Sequence, residues 1–171
     1  AGTQKIAKNI NENLSDFEGI YKTIKKEEID IVIVGPEEPL VNGIIDFLEK
    51  KNIKTIGPDK FASQLEGSKA FMKNLCKEND IPTANFGIFE DLQSAQSFIR
   101  NNKIPIVVKA DGLAAGKGVS ICKSEKDAIN KTKEIIEGKF QSSKKVVLEE
   151  FIEGEELSYF VAVDKNSFQF F

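Results

Sequence analysis

The chain contains the sequence Ile106-Val107-Val108-Lys109-Ala110-Asp111-Gly112-Leu113-Ala114-Ala115-Gly116-Lys117-Gly118-Val119, a glycine-rich loop between two aliphatic runs. The aliphatic runs predict strands from Ile104 to Lys109 and from Val119 to Cys122, joined as a hairpin. Glycines let backbone N–H groups approach a phosphate closely, and a lysine in the loop adds positive charge. The stretch therefore predicts a flap that closes over phosphates. The alternative is a flexible turn with a solvated lysine.

The spacing of the loop differs from that of two common phosphate-binding loops. A P-loop has four residues between its glycines and Ser or Thr after its lysine, whereas three residues separate Gly112 from Gly116, and Gly118 follows the lysine. A dinucleotide-binding fingerprint needs a third glycine where Ile121 stands. Both of those loops also lead from a strand into a helix, and this loop leads into a second strand. A P-loop NTPase is therefore disfavoured.

Two lysines are candidates for binding phosphate near this loop. Lys109 ends an aliphatic run, so its ammonium is expected to emerge at the end of a sheet beside the flap. Lys69 follows Ser68, a predicted N-cap, and the first turn of a helix favours anions. For Lys109 the alternative is a lysine that extends along the strand end into solvent. For Lys69 the alternative is a solvated lysine in the first turn of a helix.

An acidic segment, Glu149-Glu150-Phe151-Ile152-Glu153-Gly154-Glu155-Glu156, follows an aliphatic run. An adenine ring can be bound by a backbone carbonyl and N–H on an extended hinge, with apolar side chains over the ring and a nearby carboxylate on the ribose. The order of strand, hinge and acidic cluster fits that use. The alternative is an acidic turn that keeps the surface solvated.

The first part of the chain predicts a βαβ unit. Ser15-x-x-Glu18 has the spacing of a capping box and begins an amphipathic helix that continues to about Glu27. The β-branched run Ile31 to Val34 predicts a strand covered on both faces of a parallel sheet. One helix with Pro39 in its first turn and a second strand from Lys54 to Ile56 complete the unit.

The second part of the chain, which begins at a break at Gly67-Ser68, predicts a different order of helices and strands. The predicted elements are a helix from Lys69 to about Asn79, a strand from Ala84 to Phe89, helices capped by Asp91 and Ser124, and strands from Lys145 to Phe151 and from Leu157 to Val163. Strands that form hairpins among helices indicate an α+β module. The predicted fold class is thus the end of a doubly wound α/β domain followed by an α+β domain.

Composition excludes several kinds of chemistry. The 171 residues include no His and no Trp, so a Ser/His or Cys/His relay and imidazole metal ligands are excluded. The net charge of −3 gives no support for nucleic-acid binding, and no apolar run reaches the length of a membrane span. Cys76 and Cys122 are expected to be buried, reduced thiols rather than a disulfide or a metal site. We expect a soluble cytoplasmic protein.

Three segments, in order, resemble the ATP-grasp ligases: Leu65-Glu66-Gly67-Ser68-Lys69, residues 107–119 and residues 149–156. Two more, Ala1-Gly2-Thr3 and Val34-Gly35-Pro36-Glu37-Glu38-Pro39-Leu40-Val41-Asn42-Gly43-Ile44, are similar to one family within that group. This is the family of phosphoribosylamine-glycine ligases, the glycinamide ribonucleotide synthetases of purine biosynthesis. The similarity extends over essentially the whole chain.

The resemblance implies that residues 1–66 end an N-terminal substrate-binding domain. Residues 67–171 would enter an ATP-grasp domain with a mobile subdomain at about 84–155. The family joins glycine to 5-phospho-β-D-ribosylamine, with glycyl phosphate as intermediate, while ATP becomes ADP and phosphate. Such chemistry depends on charge neutralisation, in-line placement and exclusion of water rather than on a protein nucleophile. The implied partners are these small molecules, with no nucleic acid and no membrane, and the implied state is a monomer.

The resemblance also assigns residues to the phosphates of ATP. Lys69 and Lys109 would bind them directly. The flap would close over them through Gly112, Gly116 and Gly118, with Lys117 adding charge.

Further assignments concern the nucleoside and the second substrate. Glu149 and Ile152 would contact adenine through the backbone and Glu156 would bind the ribose, with Glu150 and Phe151 as additional hinge residues. Glu37 follows the carboxyl end of a strand, where α/β domains present ligand-binding groups, so it is expected at the glycine or amine site. No side chain is assigned a covalent catalytic role.

The chain also departs from the family pattern. The family's glycine-rich opening strand, its acidic and Asn ligands for Mg²⁺ or Mn²⁺ and its C-terminal domain are expected outside these residues. We therefore expect the 171-residue chain to be an internal portion that is inactive alone. The alternatives are another ATP-grasp carboxylate-amine ligase and a non-catalytic ATP-binding module.

Overall fold

A computed structural model describes residues 2–114, 117–140, 144–164 and 166–170. Its first part begins with a 3₁₀ helix, Gly2–Lys5. The elements that follow are α1 (Phe17–Lys26), β1 (Ile31–Ile33), α2 (Glu37–Asn42), α3 (Ile44–Lys50) and β2 (Lys54–Ile56). Strands β1 and β2 are parallel, with Ile31 opposite Lys54. The predicted βαβ unit is confirmed.

The sheet of this unit is covered on one face. A small core packs Ile24 of α1 with Ile44, Ile45 and Leu48 of α3. Ile31 and Ile33 point away from that core and are 48% and 71% exposed. The expectation of a strand covered on both faces is therefore wrong for the residues that the structure describes, because alternate side chains of a strand project to opposite faces and helices pack on one of them.

Two local predictions in this unit are wrong. The N-cap of α1 is Asp16 rather than Ser15, since the Asp16 carboxylate accepts a hydrogen bond of 2.9 Å from the Gly19 N–H. The predicted single helix after Pro36 is two helices, because Gly43 adopts φ +92° between α2 and α3. Glycine adopts this left-handed conformation without the steric cost that other residues incur.

The second part begins with two short elements, α4 (Gln64–Gly67) and α5 (Lys69–Glu78). Ser68 lies between them, and its Oγ accepts a hydrogen bond of 3.1 Å from the Phe71 N–H. The predicted break and N-cap are confirmed. The residues of α5 that are buried are Ala70 and Lys73.

A four-stranded antiparallel sheet forms the centre of the second part. Its elements are β3 (Phe86–Phe89), α6 (Leu92–Asn101), β4 (Ile106–Ala110), β5 (Val119–Cys122), α7 (Glu125–Ile136) and β6 (Val146–Glu150), with strand order β3-β6-β4-β5. Asp91 caps α6 and Ser124 caps α7 as predicted. The predicted strands are present, but β3 and β4 each begin two residues later and β6 is one residue shorter at each end.

Helices α6 and α7 cover one face of this sheet. The core beneath them consists of Ala95, Ile99, Ile106, Val108, Ala110, Cys122, Ala128, Ile135, Val146 and Leu148. Alternate residues of the strands project to the opposite face, where Val107 pairs across the sheet with Glu149 and Lys109 pairs with Val147. We call this opposite side the open face. It carries Lys109 and Glu149 beside α5 and the β4–β5 loop.

A separate hairpin ends the described chain. Strands β7 (Val161–Val163) and β8 (Phe168–Phe170) pair with each other rather than with the four-stranded sheet. The predicted strand from Leu157 to Val163 is regular only in its last three residues. Leu157 is 87% exposed, and the aromatic side chains of this hairpin are also more than half exposed.

The two cysteines are free thiols, with Cys122 buried and Cys76 half-buried. Burial, with a smaller contribution from the Asp127 carboxylate, raises the pKa of the Cys122 thiol to about 11. This thiol is therefore protonated at neutral pH, which is the state of a structural cysteine. None of the helices in the described parts of the chain is long and apolar enough to cross a membrane.

Thr132 of α7 gives a test of core packing. It is fully buried, and its Oγ1 has no hydrogen-bond partner among the described residues. Replacing this hydroxyl by a methyl group removes an unsatisfied polar atom, so Thr132→Val should raise the free energy of unfolding by about 1 kcal/mol. Urea denaturation measures the change.

Thr132→Ala is the matched control, because it removes the same hydroxyl but also a buried methyl group. It should be about 1 kcal/mol less stable than the Val variant. A Val variant less stable than the wild type would contradict this description of the core.

Candidate nucleotide site

The glycine-rich loop is the turn of the β4–β5 hairpin. The Ala110 N–H donates a hydrogen bond of 2.7 Å to the Gly118 carbonyl, which closes the base of the hairpin. A Cβ atom on Gly118 would lie 2.6 Å from the Cβ of Ala114, so the loop requires glycine there. Gly112 has φ +82°, and Lys117 is exposed. Gly116 lies outside the described residues.

The base of the flap is attached to the start of α5. The Asp111 carboxylate is buried and accepts hydrogen bonds from the Ser68 hydroxyl, at 3.1 and 3.2 Å, and from the Ala70 N–H, at 3.1 Å. The Lys69 ammonium donates to the Gly112 carbonyl at 3.0 Å. The predicted flap and the predicted lysine of α5 are therefore adjacent.

These contacts correct one part of the sequence interpretation. The first turn of α5 was expected to offer its N–H groups to an anion beside Lys69. The Ala70 N–H already donates to Asp111, and the Phe71 N–H donates to Ser68. The protein's own carboxylate and hydroxyl thus take the place that an external phosphate would need.

Lys109 lies on the open face in a cluster of ions. Its Nζ is 2.9 Å from each carboxylate oxygen of Glu149, with the geometry of a hydrogen bond at Oε2. The Lys73 Nζ is 3.0 Å from the same Oε2 and donates a hydrogen bond of 2.7 Å to the Thr83 hydroxyl. Lys109 lies at the sheet end beside the flap base, and its pairing with Glu149 disfavours the alternative of a solvated lysine.

Lys73 and the side chain of Glu149 are the residues that sequence reasoning missed. Glu149 was considered for its backbone alone, and Lys73 was not considered. One signal for Lys73 was present, because it follows Lys69 by four residues and therefore lies on the same side of the helix. Nothing local indicated that a lysine at this position would be 3% exposed.

A cavity of about 330 Å³ lies between the flap and the first part of the chain. Its lining includes Gly112 and Gly118 of the flap, Lys69 of α5, and the carboxylates of Glu37, Glu38 and Glu66. The structure thus brings together four residues predicted for the site: Glu37, Lys69, Gly112 and Gly118. Lys69 is the basic residue of this lining, and the three glutamates form its acidic wall.

The predicted hinge residues after Glu149 lie elsewhere. Glu150 and Phe151 line a second cavity, of about 590 Å³, with residues 101–105. Ile152 is 64% exposed, and Glu156 is exposed as well. None of these residues lines the 330 Å³ cavity beside the flap.

A metal site has no basis in the residues that the structure describes. None of them forms a group of three or more His, Cys, Asp or Glu side chains that could hold a metal ion. The Glu149 carboxylate lies 2.9 and 3.0 Å from two ammonium groups, with no hydrogen bond to its Oε1, and the Asp111 carboxylate accepts hydrogen bonds from the start of α5. The donor groups present here therefore do not fit Mg²⁺ or Mn²⁺.

The flap, the two lysines and the antiparallel sheet define an ATP-grasp protein, and solved structures agree with this class. The chain superposes with a TM-score of 0.68 on the biotin carboxylase domain of Hydrogenobacter thermophilus 2-oxoglutarate carboxylase, solved with MgADP and bicarbonate. The two are 25% identical, and the match covers 84% of this chain and 34% of that one.

The chain belongs to the phosphoribosylglycinamide synthetase family. The family's N domain matches residues 1–66, and its ATP-grasp (A) domain matches residues 67–171. These matches confirm the predicted fold class and the family resemblance.

Individual relatives share the name phosphoribosylamine–glycine ligase. The chain is 45% identical to that of Mesorhizobium japonicum over 89% of this chain and 36% of the relative. It is 35% identical to the crystal structure of the Thermotoga maritima protein, with a TM-score of 0.76 over 98% of this chain and 40% of that one. The chain thus spans less than half the length of the relatives that it matches.

Asp111 tests the attachment of the flap. Asp111→Ala removes the acceptor of the Ala70 N–H and of the Ser68 hydroxyl, and it leaves a buried N–H unsatisfied. The free energy of unfolding should fall by about 1 to 3 kcal/mol. Urea denaturation provides the value.

The control is Asp30→Ala, at an exposed aspartate before β1, which should change stability by less than about 0.5 kcal/mol. Equal effects of the two substitutions would show that Asp111 does not hold the flap base.

Proposed function

We propose that the full-length protein containing this chain joins glycine to 5-phospho-β-D-ribosylamine. The products would be glycinamide ribonucleotide, ADP and phosphate, formed through glycyl phosphate in purine biosynthesis. The relatives' names support this activity. The observation that carries it is the flap, whose turn requires a glycine residue at position 118. The base of the flap is attached to the start of α5, which carries Lys69, and it lies beside the open face that carries Lys109.

Lys69, Lys109 and Lys117 would neutralise the phosphates of ATP. Lys69 would exchange its present acceptor, the Gly112 carbonyl, for a phosphate oxygen. Lys109 has a quarter of its side chain exposed on the open face, so its ammonium can bind phosphate while it contacts Glu149. The flap glycines 112, 116 and 118 would bring backbone N–H groups to the phosphates and exclude water.

The strand end of β6 would hold the nucleoside. Glu149 and Ile152 are proposed to contact adenine through their backbone, with Glu150 and Phe151 beside them and Glu156 on the ribose. Support comes from the position of this segment, since it continues from the strand that carries the Lys109 partner. Residues 151–156 follow the end of β6, where the strand pairing stops, so backbone groups there are available for a ring.

The acidic wall of the 330 Å³ cavity suits an amine. Glu37 is proposed to face glycine or phosphoribosylamine there, where a carboxylate attracts an ammonium group. The Mg²⁺ or Mn²⁺ that the family uses would be held by residues outside the described ones, so no step is assigned to it here.

The arrangement of the whole protein is also part of the proposal. Residues 1–66 would end the substrate-binding domain, and residues 67–171 would begin the ATP-grasp domain with its mobile part at about 84–155. Matches of two separate family domains to these ranges support the division. We place the protein in the cytoplasm as a monomer that acts on small molecules rather than on nucleic acid or membranes.

One assay tests the activity. The full-length protein is given ATP and magnesium with glycine and phosphoribosylamine, and ADP release is compared with that for other acid and amine pairs. The proposal expects ADP release that requires both glycine and phosphoribosylamine. Release with a different pair would indicate another ATP-grasp ligase, and ATP binding without turnover would indicate a non-catalytic module.

Lys109 tests the phosphate assignment. In the full-length protein, Lys109→Ala should lower kcat/KM for ATP by the equivalent of about 2 to 4 kcal/mol, because a preorganised positive charge is lost from the transition state. Steady-state kinetics at saturating glycine measure the effect.

Lys123→Ala serves as the control, since Lys123 is an exposed lysine just after β5. It should leave kcat/KM unchanged. If the Lys109 variant matched this control, Lys109 would not belong to the nucleotide site.

A further inference from the structure

Lys73 is a buried lysine with no role in the function proposed so far. Its Nζ lies 3.0 Å from Glu149, donates to Thr83 at 2.7 Å and is 5.6 Å from the ring centre of Phe86. Removing an ammonium from water is costly, and a buried ion pair seldom repays that cost as stability. The position therefore calls for an explanation other than packing.

The charges of the cluster suggest what Lys73 does. One carboxylate, on Glu149, faces two ammonium groups, so the three side chains together carry a charge of +1. A pair of Glu149 and Lys109 alone would be neutral and would offer little attraction to an anion. The second lysine supplies the counter-charge for Glu149, and the surplus positive charge is left for a ligand.

The exposures of the two lysines show where that surplus is presented. The Lys73 side chain is 4% exposed and that of Lys109 is 24% exposed. A ligand on the open face can therefore reach Lys109 and not Lys73. Lys73 also belongs to α5, whose first turn is attached to the flap through Asp111, so its position is fixed relative to the flap.

We propose that Lys73 is a positioning residue for a polyphosphate. Lys73 is held by Thr83 and fixes the Glu149 carboxylate between itself and Lys109. It thereby orients Lys109 and leaves the Lys109 ammonium free to bind a phosphate oxygen of a nucleoside triphosphate. Lys73 does not contact the nucleotide. This inference rests on the proposed function, because it takes Lys109 as a phosphate-binding residue.

The first experiment compares variants of the full-length protein. Lys73→Met removes the charge while keeping a long side chain, and it should raise the ATP dissociation constant and the KM for ATP about tenfold. The kcat should change less, since the lost interaction is made in the ground state as well. Lys73→Arg keeps the charge and should restore the KM to within about threefold of wild type.

Lys77→Met is the matched control, because Lys77 is one turn further along α5 and exposed. It should leave the dissociation constant and the KM unchanged. An unchanged KM in the Lys73→Met variant would overturn the proposal.

The second experiment separates positioning from a purely structural role. In a Lys109→Met background, Lys73→Met should cause no further loss of ATP affinity, since its effect passes through the Lys109 ammonium. A structural defect would lower ATP affinity equally in both backgrounds. Equal losses would therefore overturn the proposal, while thermal unfolding reports the stability of each variant.

Thr83→Val keeps the experiment decisive if Lys73→Met fails to fold. It removes the acceptor that fixes the Lys73 ammonium and changes no charge, so the KM for ATP should rise about two- to threefold. No rise would overturn the proposal. Failure of the wild-type protein to bind ATP would instead contradict the proposed function, which distinguishes the two.

Discussion

The Glu149 carboxylate, held between two lysines, connects the parts of the candidate nucleotide site. It joins β6 to β4 through Lys109 and the sheet to α5 through Lys73. The first turn of α5 is attached to the flap by Asp111. Sheet, helix and flap therefore belong to one network of charged and polar contacts. Because buried ions contribute little net stability, orientation of the lysines is the better explanation for this network.

Much of the fold could be predicted because its signals are local. Aliphatic β-branched runs indicated the strands. The caps at Ser68, Asp91 and Ser124 were predictable because Ser and Asp are preferred just before a helix. In the structure each accepts a hydrogen bond from the N–H three residues ahead. Choosing Ser15 over Asp16 failed because adjacent capping residues differ in backbone geometry, which sequence does not display. Strands β3 and β4 begin later than predicted because their starts are set by pairing with β6, a partner far along the chain.

The candidate site was predictable in its parts and not in its contacts. Glycines and lysines are visible in the sequence, so the flap and the phosphate-binding candidates could be named. The contact of Lys109 with Glu149 spans 40 residues and that of Ser68 with Asp111 spans 43, and no local pattern specifies such pairs. Lys73 was missed for the same reason, since it lies on α5 and its partner Glu149 lies on β6, far along the chain. The position of Glu37 in the flap cavity depended on how two parts of the chain meet.

A crystal structure of the full-length protein with a non-hydrolysable ATP analogue and magnesium tests the central claim most directly. The claim is that the triphosphate lies on the open face, between the flap and the side chains of Lys69 and Lys109. It predicts the ammonium groups of Lys69 and Lys109 within about 3.2 Å of phosphate oxygens, with Glu149 still in contact with Lys73. A triphosphate bound away from both lysines would contradict the account.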